Sequence, residues 1–101
     1  MDKKLVNFLT RDPIIAKAHK EKKDIYSTIA AIMFNRTYEE CLEYDRKGNP
    51  NVAGKKRRFI AKQITLAYYL GDYTLLQDIL EDFVLDIDNT PDIFKQDTHN
   101  N

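Results

Sequence analysis

Apolar residues recur three and four positions apart along most of the chain, which is the spacing of one face of an amphipathic helix. The 101 residues include only 3 glycines and 3 prolines, so turns are few. The pattern predicts an all-α protein, a single small domain of five or six helices over residues 1–94. Residues 95–101 are polar and are expected to form a disordered tail. The residues expected on the apolar faces of the helices are Leu5, Val6, Phe8, Leu9, Ile14, Ile15, Ala18, Ile25, Ile29, Ile32, Met33, Phe59, Ile60, Ile64, Ala67, Tyr68, Leu70, Leu75, Leu76, Ile79, Leu80 and Phe83.

Capping residues indicate where the predicted helices begin. Asp12 followed by Pro13 is a helix start, with the aspartate as the N-cap and the proline at the first helical position. Asp24 is placed to cap a third helix in the same way. The segment Thr37–Glu40 has the form of a capping box, which predicts a fourth helix that ends near Arg46.

The second half of the chain holds the longest periodic stretch. A loop at residues 47–51 precedes it, the stretch itself covers residues 55–70, and Gly71 is placed to end it as a C-cap. A further helix is expected over residues 74–87. Its last turn is acidic, which opposes the helix dipole and predicts fraying. The pattern therefore predicts a long basic helix followed by an acidic one.

The formal net charge is zero, but the two parts of the chain differ. Residues 1–62 hold 15 basic and 8 acidic side chains, a net charge of +7, whereas residues 63–101 hold 1 basic and 8 acidic side chains, a net charge of −7. A basic front half suits a polyanion such as nucleic acid or a triphosphate. The acidic rear half could mask that surface or form a solvated face.

Few other residues are candidates for a catalytic or metal-binding site. Cys41 is the only cysteine, which excludes an internal disulfide and zinc-ligand spacing and fits a reducing cytoplasm. No signal peptide is expected, because no apolar core follows the charged residues 1–4, and the longest apolar run is far short of a membrane span. His19 lies among lysines and is expected to be exposed. Asp86 and Asp88 form a carboxylate pair without an apparent third metal ligand.

Four basic residues in a row, 55–58, begin the longest predicted helix. Arg58 and Lys62 are four positions apart, so they project from one face of a helix. Two cations placed in this way can grip phosphates, the arginine as a fork and the lysine as a point charge. Taken by itself, such a run is more often a solvated helix start, because lysine and arginine are seldom buried.

Three segments carry a resemblance to a known family. Residues 23–35 read KDIYSTIAAIMFN, residues 38–43 read YEECLE, and residues 51–62 read NVAGKKRRFIAK. The first resembles the DI[HY]xxxAxxxF helix in the fingers of family A DNA polymerases, most closely those of phages of Gram-positive hosts, and the second continues that match. The third resembles the start of the nucleotide-binding fingers helix, RRxxAKxxxxGxxYG in its phage form. Because the motifs occur in the right order over about residues 12–71, the match is far more specific than RRxxAK alone.

The resemblance implies a role in binding the incoming deoxynucleotide triphosphate (dNTP) and the template–primer. Arg58 and Lys62 would hold the triphosphate, where such a clamp stabilises charge on the leaving pyrophosphate, and Lys62 could also supply the leaving group's proton. Tyr26 stands where many members carry a histidine that contacts the nucleotide. The residues implied to bind the nucleotide are Arg58, Lys62, Leu66 and Tyr26, and those expected to bind DNA are Lys55, Lys56 and Arg57.

Three positions depart from the family pattern. Leu66 stands where an aromatic or large apolar residue normally stacks on the incoming base, Ala67 replaces a glycine, and Leu70 replaces a tyrosine. Tyr69 is one position early. Because one residue turns a side chain by about 100° around a helix, Tyr69 is not expected to substitute for the missing tyrosine.

The palm motifs of the family are not found in the chain. Family members bind two metal ions through palm aspartates. Alignment on Asp12 places the first of these aspartates before Met1, and the second palm motif, with its HDE tripeptide, beyond Asn101. The resemblance therefore implies no cofactor in this chain, magnesium only in the complete polymerase, and no polymerase activity for this chain alone.

Several origins and functions stay open. The chain could be a piece of a split polymerase gene, a decayed fragment, or a small phage protein that uses the fingers sequence for another purpose. The expected partners are dNTP and DNA, together with the remaining polymerase polypeptide or another phage or host protein, and no membrane. The alternative from a different class is a non-enzymatic helical protein that binds DNA or a protein, and a third is a decoy in which acidic residues 72–92 imitate phosphates.

An isolated fingers domain would expose apolar surface, so we expect partial unfolding, self-association, or a core completed by residues 73–94.

Overall fold

In a computed structural model of the protein, residues 1–82 are described, and they form five α-helices and one short 3-10 helix. Within these residues there is no strand, and an isolated bridge joins Tyr44 to Pro50. The all-α single domain expected from the sequence is confirmed. The elements are α1 (Lys3–Leu9), α2 (Pro13–Lys20), α3 (Ile25–Phe34), the 3-10 helix (Glu39–Cys41), α4 (Val52–Leu70) and α5 (Tyr73–Asp82).

Each α-helix begins at a side chain that accepts a hydrogen bond from a backbone N–H of the first turn. The cap that begins α2 is followed by proline at the first helical position, as expected. Two helices end in residues with positive φ, Asn35 at 53° after α3 and Gly71 at 75° after α4. The capping side chains are Asp2, Asp12, Asp24, Asn51 and Asp72.

The prediction of a fourth helix from Thr37 to near Arg46 is wrong. The capping-box hydrogen bonds do form, since Thr37 donates its N–H to Glu40 at 3.2 Å and Glu40 donates its N–H to the Thr37 hydroxyl at 3.2 Å. The helix stops after one 3-10 turn, because Leu42 is extended (φ −87°, ψ 153°). The carbonyls of residues 40 and 41 are taken by side chains of other helices, so these groups do not need a helix to be satisfied.

Helix α4 is the centre of the fold. It packs against α3, α5 and the 3-10 helix, and α2 packs against α3. Ser27 and Thr65 are polar side chains enclosed within this packing. The apolar core is one continuous cluster, made of Leu5, Phe8, Leu9, Ile15, Ile25, Ile29, Ala30, Cys41, Ile60, Ala61, Ile64, Ala67, Tyr68, Leu76 and Leu80.

Five residues expected on the core faces lie at the surface instead. These residues lie on parts of their helices that the neighbouring elements do not cover. In α4, Ile60 and Ile64 face the core, and Phe59 is turned from Ile60 by about 100°. The exposed fractions of Ile14, Ile32, Phe59, Leu70 and Leu75 are 60%, 41%, 58%, 74% and 44%.

The long basic helix and the acidic helix after it are both present. Helix α4 begins at Val52, three residues before the expected start, and Gly71 ends it as predicted. Helix α5 accounts for the predicted helix at residues 74–87 as far as Asp82. The remaining predictions lie outside the described residues: Phe83 in the core, the carboxylate pair Asp86 and Asp88, the domain end at residue 94 and the tail 95–101.

Candidate nucleotide and nucleic-acid interface

The first turn of α4 is held close to the chain that follows the 3-10 helix. Asn51 caps the helix by accepting the N–H of Gly54 at 3.3 Å. A side chain at position 54 would collide with the backbone carbonyl of Leu42, so only glycine allows this approach. Arg57 then reaches the Glu40 carbonyl, to which its Nη1 donates at 2.6 Å. The basic start of α4 is therefore fixed against residues 39–43.

Arg58, the first predicted phosphate ligand, is already held by two carboxylates. Its Nε donates to Asp24 Oδ2 at 2.7 Å, and its Nη2 donates to Asp24 Oδ1 at 3.2 Å. Its Nη1 lies 3.4 Å from Glu43 Oε1. The Asp24 pair has the two-pronged geometry that makes arginine–carboxylate bonds strong. The hydrogen bond to Asp24 raises the pKa of Arg58, so the side chain is always charged.

Asp24 connects this ion pair to the start of α3. It accepts the N–H of Ser27 at 2.9 Å as the N-cap, and the Ser27 hydroxyl lies 2.6 Å from the same oxygen. The Asp24 N–H donates to the Tyr38 hydroxyl at 2.9 Å. Partial burial raises the pKa of Asp24, but the hydrogen bonds from Arg58 and Ser27 outweigh it and leave the pKa below its ordinary value. The carboxylate is thus ionised at neutral pH.

Tyr26 brings the two predicted phosphate ligands together. It is buried at the start of α3, and the Arg58 guanidinium carbon lies 5.5 Å from its ring centroid. The Lys62 ammonium lies 5.9 Å from the same centroid. Both distances are within the range of cation–π attraction. Burial raises the pKa of the Tyr26 hydroxyl, so the ring stays neutral between its two cations. We call Tyr26, Arg58 and Lys62 the Tyr26 cluster.

Leu66, the fourth residue implied to bind the nucleotide, lies one turn beyond Lys62 on α4. Its side chain is half-buried and packs against the core cluster. It therefore extends the face that carries Arg58 and Lys62, and part of its apolar surface is used by the fold. Leu70 is exposed, and Tyr69 packs on Phe8 with the ring centroids 5.2 Å apart. Tyr69 thus lies away from the expected tyrosine position.

A shallow groove of about 260 Å³ lies beside the Tyr26 cluster. Arg58 forms one wall, and Asp24 and Glu43 line the same groove. An anion that enters it meets one guanidinium and two carboxylates, so it must displace at least one carboxylate from Arg58. The other residues around the groove are Ser27, Leu42 and Tyr44.

The three residues expected to bind DNA differ in their surroundings. Lys55 and Lys56 are exposed on the first turns of α4. Arg57 is half-buried and is engaged by the Glu40 carbonyl. Two of the three cations are therefore directed to solvent, and the third positions the helix on the 3-10 turn.

Sequence reasoning missed the two carboxylates that occupy Arg58. The sequence predicts Asp24 only as a helix cap and assigns no role to Glu43. Their contact with Arg58 joins residues 34 and 15 positions apart, which helical periodicity cannot indicate. The sequence offers one indirect signal. Residues 1–62 hold only 8 carboxylates for 15 cations, so each carboxylate there has several basic side chains that could pair with it.

Other kinds of site find little support in residues 1–82. His19 is exposed, as expected. This part of the chain gathers no three histidine, cysteine, aspartate or glutamate side chains in a metal-binding arrangement. None of its helices combines the length and the apolar character needed to cross a membrane.

No family model, no curated protein and no solved structure matches the chain.

Proposed function

We propose that this chain is a fingers element of a family A DNA polymerase, which binds the triphosphate of an incoming deoxynucleotide and the template–primer. The observation that carries the proposal is the Tyr26 cluster. Tyr26 belongs to the first polymerase-like segment, and Arg58 and Lys62 belong to the third, yet both cations lie within 6 Å of one ring. Residues far apart in the chain that the resemblance assigns to one ligand thus lie together on α3 and α4.

The chemistry of the cluster suits a triphosphate. An arginine fork and a lysine point charge on one helix face can bind adjacent phosphate groups. Lys55 and Lys56, one turn earlier on α4, extend the positive surface toward a DNA backbone. The chain contributes binding and not catalysis, since magnesium would be held by a palm domain. The setting is the cytoplasm of a phage-infected or prophage-bearing bacterium.

The contacts of Arg58 define how the ligand binds. The triphosphate must exchange with Asp24 and Glu43 for the guanidinium. Glu43 is the weaker competitor, because its contact is longer at 3.4 Å and its side chain is 39% exposed. Removal of its charge should therefore make Nη1 of Arg58 available to phosphate, while Asp24 keeps its pair with Nε and Nη2 and its cap of α3.

The test is a titration of the chain with a dNTP, followed by amide NMR shifts. Saturable shifts centred on residues 55–62 are expected, with affinity at least about tenfold lower in Arg58→Ala and Lys62→Ala, because each loses a charged hydrogen bond. Glu43→Gln should bind more tightly than the natural chain. Lys20→Ala is the matched control, since Lys20 is an exposed cation at the end of α2, outside the cluster. A well-dispersed spectrum without shifts, or equal losses in the control, would contradict the proposal.

A second candidate is a non-enzymatic helical protein that binds DNA or a protein. The observation that favours it is the engagement of Arg58 by two carboxylates, while Lys55 and Lys56 remain directed to solvent. A polyanion could bind these exposed cations without opening the Arg58 pair. Binding to duplex DNA that falls steeply with salt, is lost in Lys55→Ala and Lys56→Ala, and is unchanged in Arg58→Ala would favour this candidate.

A further inference from the structure

A second basic pocket lies at the other end of α4, between that helix and α1. It is lined by Lys4, Asn7, Phe8, Arg11 and Tyr69. Lys4, Asn7 and Phe8 lie on α1 at spacings of three and four positions from Lys4, so α1 presents them on one face, and Arg11 follows the end of the helix. The pocket combines two cations and a side-chain amide with two aromatic rings. We call it the α1 pocket.

The aromatic rings form the floor of the α1 pocket. Phe8 is buried and its centroid lies 5.2 Å from that of Tyr69, with the ring planes inclined by 58°. Tyr69 is half-buried and lines the pocket. The guanidinium carbon of Arg11 lies 5.5 Å from the Phe8 centroid. Cations beside aromatic side chains that line a pocket are the arrangement that binds single-stranded nucleic acid, with phosphates on the cations and bases on a ring.

The position of Tyr69 relates this pocket to the Tyr26 cluster. Tyr69 follows Arg58 by 11 residues, which on a helix is a rise of about 16.5 Å and a residual rotation of about 20°. The two sites therefore lie on nearly the same side of α4. A stacked strand rises about 3.4 Å per nucleotide, so about five nucleotides span the distance.

We propose that the α1 pocket is a contact site for single-stranded nucleic acid, in which Lys4 and Arg11 meet phosphates and Tyr69 stacks on a base. The strand continues along α4 toward Arg58 and Lys62. This continuation rests on the proposed function of the Tyr26 cluster, whereas the pocket itself does not. Asn7 supplies an amide that can bond a phosphate or a base edge. The ligand is thus a strand longer than one nucleotide.

The experiment measures binding of a fluorescent eight-nucleotide oligothymidylate to the full chain by anisotropy at several salt concentrations. Lys4→Gln should weaken binding and reduce the salt slope by about 0.7, the value for one phosphate contact on a single strand. Tyr69→Leu should weaken binding about tenfold without changing the slope, because it removes stacking and keeps an apolar side chain. Lys3→Gln is the matched control, since Lys3 is an exposed neighbour on α1 that does not line the pocket.

Three outcomes separate this inference from the proposed function. If Lys4→Gln matches Lys3→Gln in affinity and slope, the α1 pocket is not a strand site, whatever the dNTP titration gives. If Lys4→Gln weakens oligonucleotide binding while dNTP causes no shifts, the inference stands and the proposed function fails. If both hold, Lys4→Gln should leave dNTP affinity unchanged, and a three-nucleotide oligomer should bind much more weakly than the eight-nucleotide one. Because Lys4 is exposed, its substitution tests the pocket even if Tyr69→Leu impairs folding.

Discussion

Asp24 stabilises the fold in two ways, as the N-cap of α3 and as the ion-pair partner of Arg58. Substitution of Asp24 by asparagine should separate these two contributions. Asparagine keeps an oxygen that can cap α3 about as well as aspartate does. It loses the charge that attracts Arg58, whose side chain is 24% exposed against 32% for Asp24. A pair at this depth lies between a solvent-screened surface pair and a charged hydrogen bond, so the expected loss is about 1–2 kcal/mol. Asp24→Ala also removes the cap and should cost about 1 kcal/mol more.

The assay is thermal unfolding followed by circular dichroism, at a series of pH values. One kcal/mol shifts the midpoint of a domain this size by about 4–8 °C, so a loss of about 1–2 kcal/mol in Asp24→Asn should lower it by roughly 4–16 °C at pH 7. Because the pKa of Asp24 is lower in the folded state than its ordinary value of 3.8, its stabilisation is fully present above that value. It is lost as the pH falls through the lowered pKa. The stability difference between the natural chain and the variant should therefore begin to narrow below about pH 4 and close only below the lowered pKa.

Asp12 provides the control. It also caps a helix, accepting the Ile14 N–H at 2.8 Å, and it makes no hydrogen bond to a guanidinium within residues 1–82. Asp12→Asn should therefore change the midpoint little. The reasoning is refuted if Asp24→Asn is as stable as the natural chain at pH 7, or if its deficit is the same at all pH values.

Three further predictions concern the backbone and the thiol. Gly54→Ala should cost about 1–3 kcal/mol in urea denaturation, because the new methyl group collides with the Leu42 carbonyl; an Ala53→Ser variant of equal stability loss would contradict this. Gly71→Ala should cost about 1 kcal/mol, because φ is 75° but no neighbour obstructs a side chain; a cost equal to that of Gly54→Ala would be inconsistent with the structure. Burial raises the pKa of the Cys41 thiol, so a thiol reagent should label it slowly in the native chain and rapidly in denaturing urea; rapid native labelling would disagree.

The fold was predictable where the signals are local. Asp12, Asp24 and Gly71 act at helix ends through bonds to residues within one turn, so a sequence pattern suffices to find them. The segment after Thr37 has an equally good local signal and still forms only one 3-10 turn. Its carbonyls are taken by Ser27 and Arg57, which lie 14 and 17 residues away. Those competing bonds depend on tertiary packing, and no local pattern contains them.

The candidate site was predictable in its cations and not in their partners. The four-residue spacing puts Arg58 and Lys62 on one face of α4, and the resemblance adds Tyr26. What the spacing cannot reveal is which surface that face meets. In the fold it meets the start of α3, where Asp24 is already needed as a cap. Phe59 is exposed for the same reason. Periodicity identifies an apolar stripe along a helix, but it does not tell how much of that stripe a neighbouring helix covers.

The Arg58–Asp24 contact makes the response to ionic strength differ along α4. Lys55 and Lys56 have no carboxylate contact within residues 1–82, so an anion that binds them displaces only mobile counterions, and added salt opposes it fully. At Arg58 an arriving phosphate replaces a carboxylate that belongs to the chain. Salt weakens both the pair that is broken and the pair that is formed, so the two effects partly cancel. At higher salt concentration, the first turn of α4 should therefore contribute less of the affinity for a bound polyanion, and Arg58 should contribute more of it.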